Sequence, residues 1–134
     1  MKTRIGAAAV LCLLLAFGTG AQSKSGVTGF FSDMRYVREA GGVIGTEVWI
    51  SFARDQYWAC VQTAEGEPNP PEVVTVDVSG SKIKFTIMKQ RVDQQQNLLP
   101  EQRMDFAGTV SAAGITGTFN GQEVNLKRRN SYWQ

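Results

Sequence analysis

The chain predicts an all-β fold, an eight-stranded antiparallel up-and-down meander that closes into a small barrel. Three observations carry this. Short runs alternate apolar and polar residues with a period of two, tight-turn signals recur between them, and no stretch keeps the 3.6-residue period of a long helix. Eight such runs in about a hundred residues match the strand number at which a small barrel closes over its own side chains.

The first residues belong to export rather than to the fold. Lys2 and Arg4 precede an apolar run at residues 5–17, shorter than the about 20 residues of a membrane span and of the length of a secretory signal core. Thr19, Gly20 and Ala21 then supply small residues for cleavage. Residues 1–21 are expected to be a signal peptide and residues 22–134 a single β-barrel domain, exported to the periplasm or secreted. Acylation at Cys12 is not expected, because Leu11 and Ala9 stand where a lipoprotein signal wants a small residue and a leucine. Cleavage would remove two of the 14 basic residues and none of the 12 acidic ones, leaving a formally neutral domain. The basic balance therefore belongs to the leader, and it points to neither nucleic acid nor an anionic membrane.

The strands follow in order. Residues 29–37, rich in aromatic and β-branched side chains, form the first, and the loop with Gly41 and Gly42 ends it. Residues 46–54 put Val48, Ile50 and Phe52 on one face and Glu47, Trp49 and Ser51 on the other. A tight turn around Asp55 leads to residues 57–64. Pro68, Pro70 and Pro71 make the next connection a loop, since proline donates no ladder hydrogen bond. Residues 73–78 and 82–88 pair through the turn at Gly80, with Val74, Val76 and Val78 meeting Ile83, Phe85 and Ile87. Residues 89–102 carry no strand period and read as a polar loop or a short helix. Residues 103–111 alternate through Met104, Phe106 and Val110, a turn at Gly114 leads to residues 115–119, and Asn120-Gly121 is a two-residue hairpin signal. The last strand, residues 122–128, turns Val124 and Leu126 inward.

Glycines inside strands support closure. Phe106-Ala107-Gly108-Thr109-Val110 and Ile115-Thr116-Gly117-Thr118-Phe119 share one pattern, and strand glycines mark the bends and close approaches by which a small sheet curls. Gly29-Phe30-Phe31 opening the first strand, with Arg128 ending the last, resembles the lipocalin and wider calycin pattern. In those barrels a glycine, any residue and an aromatic start the first strand, and a basic residue of the final strand packs across the aromatic. Phe31 stands where that family has tryptophan, and the sequence shows no obvious C-terminal helix or disulfide of the family's kind, so ligand type does not carry over. The chain also resembles small exported bacterial barrel proteins.

Residue usage prunes the chemistry. The chain has no histidine and the domain keeps one cysteine, Cys60. That excludes an intramolecular disulfide and a His-assisted catalytic dyad, and it disfavours transition-metal sites. Carboxylates such as Asp33, Glu47, Asp77 and Asp105 show no pairing that singles out an acid and a base. Gly41 to Gly45 precede a strand rather than a helix, so they form no phosphate loop. The chain is accordingly read as non-catalytic, with no cofactor and no metal. An outer-membrane barrel is disfavoured because several runs offer six or seven residues where membrane strands need about 9 to 11.

Connection parity then suggests where the protein works. In a meander, connections emerge alternately at the two ends, and the long ones, residues 38–45, 65–72 and 89–102, all fall at one end. Loops on a rigid scaffold concentrate binding residues. Arg38, Glu39, Glu65, Glu67, Asn69, Arg91 and Asp93 are the candidates there. Trp49 is an eighth candidate, on a strand. A two-residue turn at Asp55 and Gln56 puts Trp49, Trp58 and Cys60 together on the outer face, whereas a longer loop turns Trp58 and Cys60 inward. The C-terminal residues 131–134 are expected to cover Trp49. The inward residues are large and apolar, which favours a filled core. The expectation is an exported binding module presenting three long loops to a protein or cell-envelope partner, inhibition of an extracytoplasmic enzyme being one form. A carrier of a small apolar ligand inside the barrel is the alternative.

Overall fold

The computed structural model describes residues 26–134; the expected signal peptide lies outside them. Among the described residues there are nine strands: β1 (Gly29–Ser32), β2 (Arg35–Val37), β3 (Gly42–Ala53), β4 (Gln56–Gly66), β5 (Glu72–Ser79), β6 (Lys82–Val92), β7 (Leu98–Val110), β8 (Gly114–Phe119) and β9 (Gln122–Arg128). All pairings are antiparallel. Each strand from β3 to β9 pairs with the next, and β1 closes the ring by pairing with both β3 and β9. Eight strands thus form the predicted barrel, and β2 lies outside the ring.

Residues 29–37 were expected to be one strand, and the structure divides them. β1 and β2 nonetheless hold a single register on β3, from Gly29↔Ile50 to Val37↔Gly42. At the break, the Asp33 N–H still donates to the Thr46 carbonyl at 3.1 Å, but the return bond from the Thr46 N–H goes to the Asp33 carboxylate at 2.6 Å rather than to the main chain. The stretch at residues 89–102, expected to be a loop or a helix, is the far end of the β6–β7 hairpin, both arms and the connection between them. β6 runs on to Val92 and β7 starts at Leu98, with a register shift between Lys89 and Arg91. The bulge broke the alternation that would have revealed it. Because no strand is added, the parity of the later connections stands.

Several strands are longer than expected, reaching 11 to 13 residues in β3, β4, β6 and β7. The length objection to a membrane barrel therefore falls. Charge placement replaces it: Lys82, Lys84, Arg103, Asp105, Glu123 and Lys127 all point outward and are exposed, the reverse of a lipid-facing surface.

The interior is packed. Phe31, Val48, Ile50, Ala59, Val61, Val76, Ile83, Phe85, Ile87, Phe106, Val110, Ile115, Phe119 and Leu126 form one buried cluster, with Tyr57, Val74, Val78, Met104 and Val124 against it. Phe85, Phe106 and Phe119 pack on one another with centroids 4.7 to 5.8 Å apart. The repeated glycine pattern has a mechanical cause here. Gly108 and Gly117 face each other across β7 and β8. A Cβ on Gly117 would sit 2.6 Å from the Gly108 Cα and 2.9 Å from Phe106 Cζ, so the pair lets two backbones and a ring share the space of side chains.

The end carrying the tight turns is sealed by Arg128. Its guanidinium lies 4.5 Å over the Phe31 ring and donates to the carbonyls of Thr28 at 2.7 Å, Gly26 at 2.6 Å and Ser111 at 3.2 Å. Gly29 makes the approach feasible, because a Cβ there would meet Arg128 Nη1 at 2.6 Å and its φ of 138° disfavours other residues.

The wall is parted in one place. β5 pairs with β4 over Glu72 to Val76 but with β6 only over Asp77 to Ser79. Past Asp77↔Lys84 the two strands separate, and Glu72 spans the opening by accepting the Met88 N–H at 2.9 Å.

Candidate functional site

At the other end the three longer connections, residues 38–41, 67–71 and 93–97, emerge together as parity requires. The opposite end carries only short turns at residues 54–55, 80–81 and 111–113. The loops are shorter than expected because the flanking strands run further into them. Between them the barrel mouth narrows to a depression of about 180 Å3 with Ala64, Met104, Phe119 and Val124 at its base and Thr46, Thr63, Glu65, Lys89 and Glu123 around it.

Lys89 shapes this mouth. It continues the inward row of Ile83, Phe85 and Ile87, its side chain is only 13% exposed, and its ammonium pairs with the Glu65 carboxylate. An ion pair from β4 to β6 thus crosses the mouth just beyond the start of β5. Lys89 falls within the stretch expected to be a loop or a helix; the period-two series that it extends is the signal that places it on the strand.

The remaining expected residues divide by role. Arg38, Glu39, Glu67 and Arg91 are exposed. Asn69 holds its own loop: its N–H donates to the Thr63 carbonyl at 2.8 Å, its amide to Thr63 Oγ1 at 2.9 Å, and its carbonyl accepts from Gln62 at 2.9 Å. Asp93 knits the β6–β7 tip, accepting the Gln95 N–H at 2.9 Å, the Asn97 N–H at 2.8 Å and the Asn97 side-chain amide at 2.9 Å. The Asn97 side-chain amide, then its main chain, hold the Asp93 carboxyl below its ordinary value. The loop platform therefore offers Arg38, Glu39, Glu67 and Arg91 outward, while Glu65, Asn69 and Asp93 organise it.

Trp49 is elsewhere, on the outer wall. The turn falls at Arg54 and Asp55, both with positive φ, one residue earlier than Asp55 and Gln56. Pairs shift by two to Ile50↔Ala59 and Trp49↔Cys60, so the outward placement of Trp49, Trp58 and Cys60 is unchanged. Phe30, Trp49, Cys60 and Val73 make one row across β1, β3, β4 and β5. Phe30 stacks on Trp49 at 5.6 Å, and Trp49 remains 46% exposed. The C-terminal segment does not take the position expected over Trp49. Glu47, outward but buried, draws it one row further: Glu47 accepts from Ser131 Oγ and from the Tyr132 N–H, each at 2.7 Å, and Trp133 Nε1 donates to Gln62 at 2.8 Å. Cys60 is half-buried, and desolvation, then the Glu47 charge, raise its thiol above the ordinary value.

Beside the parted wall lies a group that sequence reading did not single out. Arg103 donates to both Asp105 oxygens, at 3.1 and 2.8 Å, and Thr86 Oγ1 donates to the same carboxylate at 2.6 Å. These three flank an open depression of about 620 Å3 into which Val74, Phe85 and Phe106 show from the core. Among the described residues, no group of three or more His, Cys, Asp or Glu side chains is placed to hold a metal, and no helix is long and apolar enough to cross a membrane. No family model matches the chain, and no curated protein and no solved structure is detectably similar to it.

Proposed function

We propose that this is an exported, non-catalytic binding module that presents residues 38–41, 67–71 and 93–97 to a macromolecular or cell-envelope partner, with inhibition of an extracytoplasmic enzyme as one concrete form. The observation that carries this reading is the gathering of the longer connections at one end of a packed barrel. The calycin likeness has support in the same barrel, where Arg128 lies over the Phe31 ring beside Gly29. A carrier of an apolar ligand is less well supported. The interior is occupied by side chains, and the depression at the mouth, about 180 Å3, is smaller than the roughly 300 Å3 at which ligand pockets begin.

The test is recovery from cell-envelope extract on immobilised protein, wild type against a variant with Glu65, Glu67 and Arg91 replaced by alanine. A partner retained by the wild type and lost by the variant is expected. Equal recovery would place the contact elsewhere, and saturable uptake of an apolar fluorescent probe would favour the carrier.

A further inference from the structure

We propose that the β5-facing edge of β6, over residues 85–89, receives an extended segment of a partner protein as an added strand. This rests on the binding-module reading and specifies the conformation in which the partner is recognised. β6 is paired with β7 along its length but with β5 only as far as Lys84. Beyond it, residues 72–76 of β5 stay with β4.

Alternate residues of a strand direct their main-chain groups to the same neighbour. The Met88 N–H points into the opening, where it meets Glu72, so the Thr86 main chain faces the same way, and Thr75 and Val73 face it from β5. A series of alternating N–H and C=O groups is complementary to an extended polypeptide and to little else. Depressions of about 620 and 300 Å3 lie along the opening and leave room for alternate side chains.

Charge and exposure define the donor segment further. Glu72, Glu101 and Lys89 line the second depression, and Lys89 is already paired with Glu65. Acid is in excess, so the donor carries a lysine or arginine there. Val73 and Met88, 69% and 42% exposed, flank the opening on the outside, which favours apolar donor residues between them. Two devices keep the edge from pairing indiscriminately. Lys89 is an inward charge on the edge strand, and Glu72 occupies the Met88 N–H until a donor carbonyl displaces it.

The experiment selects ten-residue peptides from a random displayed library on the full chain, then measures the best binder by calorimetry and by amide exchange of the protein. Enrichment of alternating apolar residues with one basic residue is expected, with at least tenfold slower exchange at Thr86 and Thr75 on binding. Thr86→Pro, which removes an N–H at an edge that tolerates proline, should weaken binding at least tenfold. Thr75→Pro gives the same reading from the facing strand if the first variant folds poorly. Absence of enrichment, protection confined to other strands, or equal binding by both proline variants would overturn the proposal. Loss of binding on replacing Glu67 and Arg91, with the proline variants unaffected, would overturn it while leaving the loop reading standing. The reverse pattern would do the opposite.

Discussion

Replacing Arg128 by methionine tests how the barrel is closed. The ladder between β1 and β9 has only Phe31↔Arg128 and Ser32↔Lys127, so the guanidinium contacts are a large part of the seam. The part-buried bond to the Thr28 carbonyl contributes ~1.5 kcal/mol and the two exposed bonds to Gly26 and Ser111 ~0.5 kcal/mol each. Stacking over Phe31 adds ~1 kcal/mol. Against these, Arg128 Nε is buried with no hydrogen-bond partner, and removing it returns ~1 kcal/mol. The net loss is ~2.5 kcal/mol, which at ~4 °C per kcal/mol for a domain of this size lowers the melting temperature by ~10 °C. Calorimetric melting of wild type, Arg128→Met, Arg128→Lys and the exposed control Lys127→Met measures it. Lysine keeps the charge without the fork and should fall between. A cycle with Gly29→Ala adds a second reading: the new Cβ would clash with Nη1, so alanine should cost less in the methionine background. An Arg128→Met protein melting within ~2 °C of Lys127→Met would refute this account of closure.

Further outcomes are expected. Gly117→Ala drives a Cβ into the facing backbone and the Phe106 ring and should destabilise by ~2–3 kcal/mol in denaturant titration. Gly26→Ala, with open space around it, should change stability by less than ~0.5 kcal/mol. Asp93 has a depressed folded value, so what it contributes is present above the ordinary value of 3.8 and is lost as pH falls through the folded one. Amide exchange at Gln95 and Asn97 should accelerate selectively across that acid window, and Asp93→Asn should remove the pH dependence. Cys60 lies on the outer wall with a raised thiol, so a small maleimide should label the folded protein, more slowly at pH 8 than a free thiol. Labelling seen only after unfolding would contradict its outward register.

Most of the barrel was legible because period-two alternation is set by the covalent geometry of a strand. Val74 to Val78 and Ile83 to Ile87 needed nothing else. Legibility failed where a side chain took over one bond of a ladder pair, as Asp33 does between β1 and β2, and where a bulge reset the period between Lys89 and Arg91. Lys89, the residue that crosses the mouth, precedes the bulge and keeps the period of Ile83, Phe85 and Ile87; a charge in an apolar row concealed it. Parity located the loop end, since it depends only on counting strands, but it could not separate Glu67 on the surface from Asn69, whose hydrogen bonds hold its own loop. The division between β5 and β6 was not foreseeable. Both strands alternate perfectly, and their separation depends on which neighbour each follows around the ring.

Ring topology gives β1 an unusual place in time. Every barrel strand except β1 and β9 finds its partners among its immediate barrel neighbours in the chain, so each of those pairings can form as soon as the next hairpin has been made. β1 finds β3 early, but the edge that will meet Arg128 stays open until β9 has been synthesised. Through that interval the growing sheet is a template for any stray strand. The residue that ends this exposure is the one whose side chain then seals the barrel, so a slip at Arg128 would first be felt in yield and aggregation, before any measurement on the finished fold.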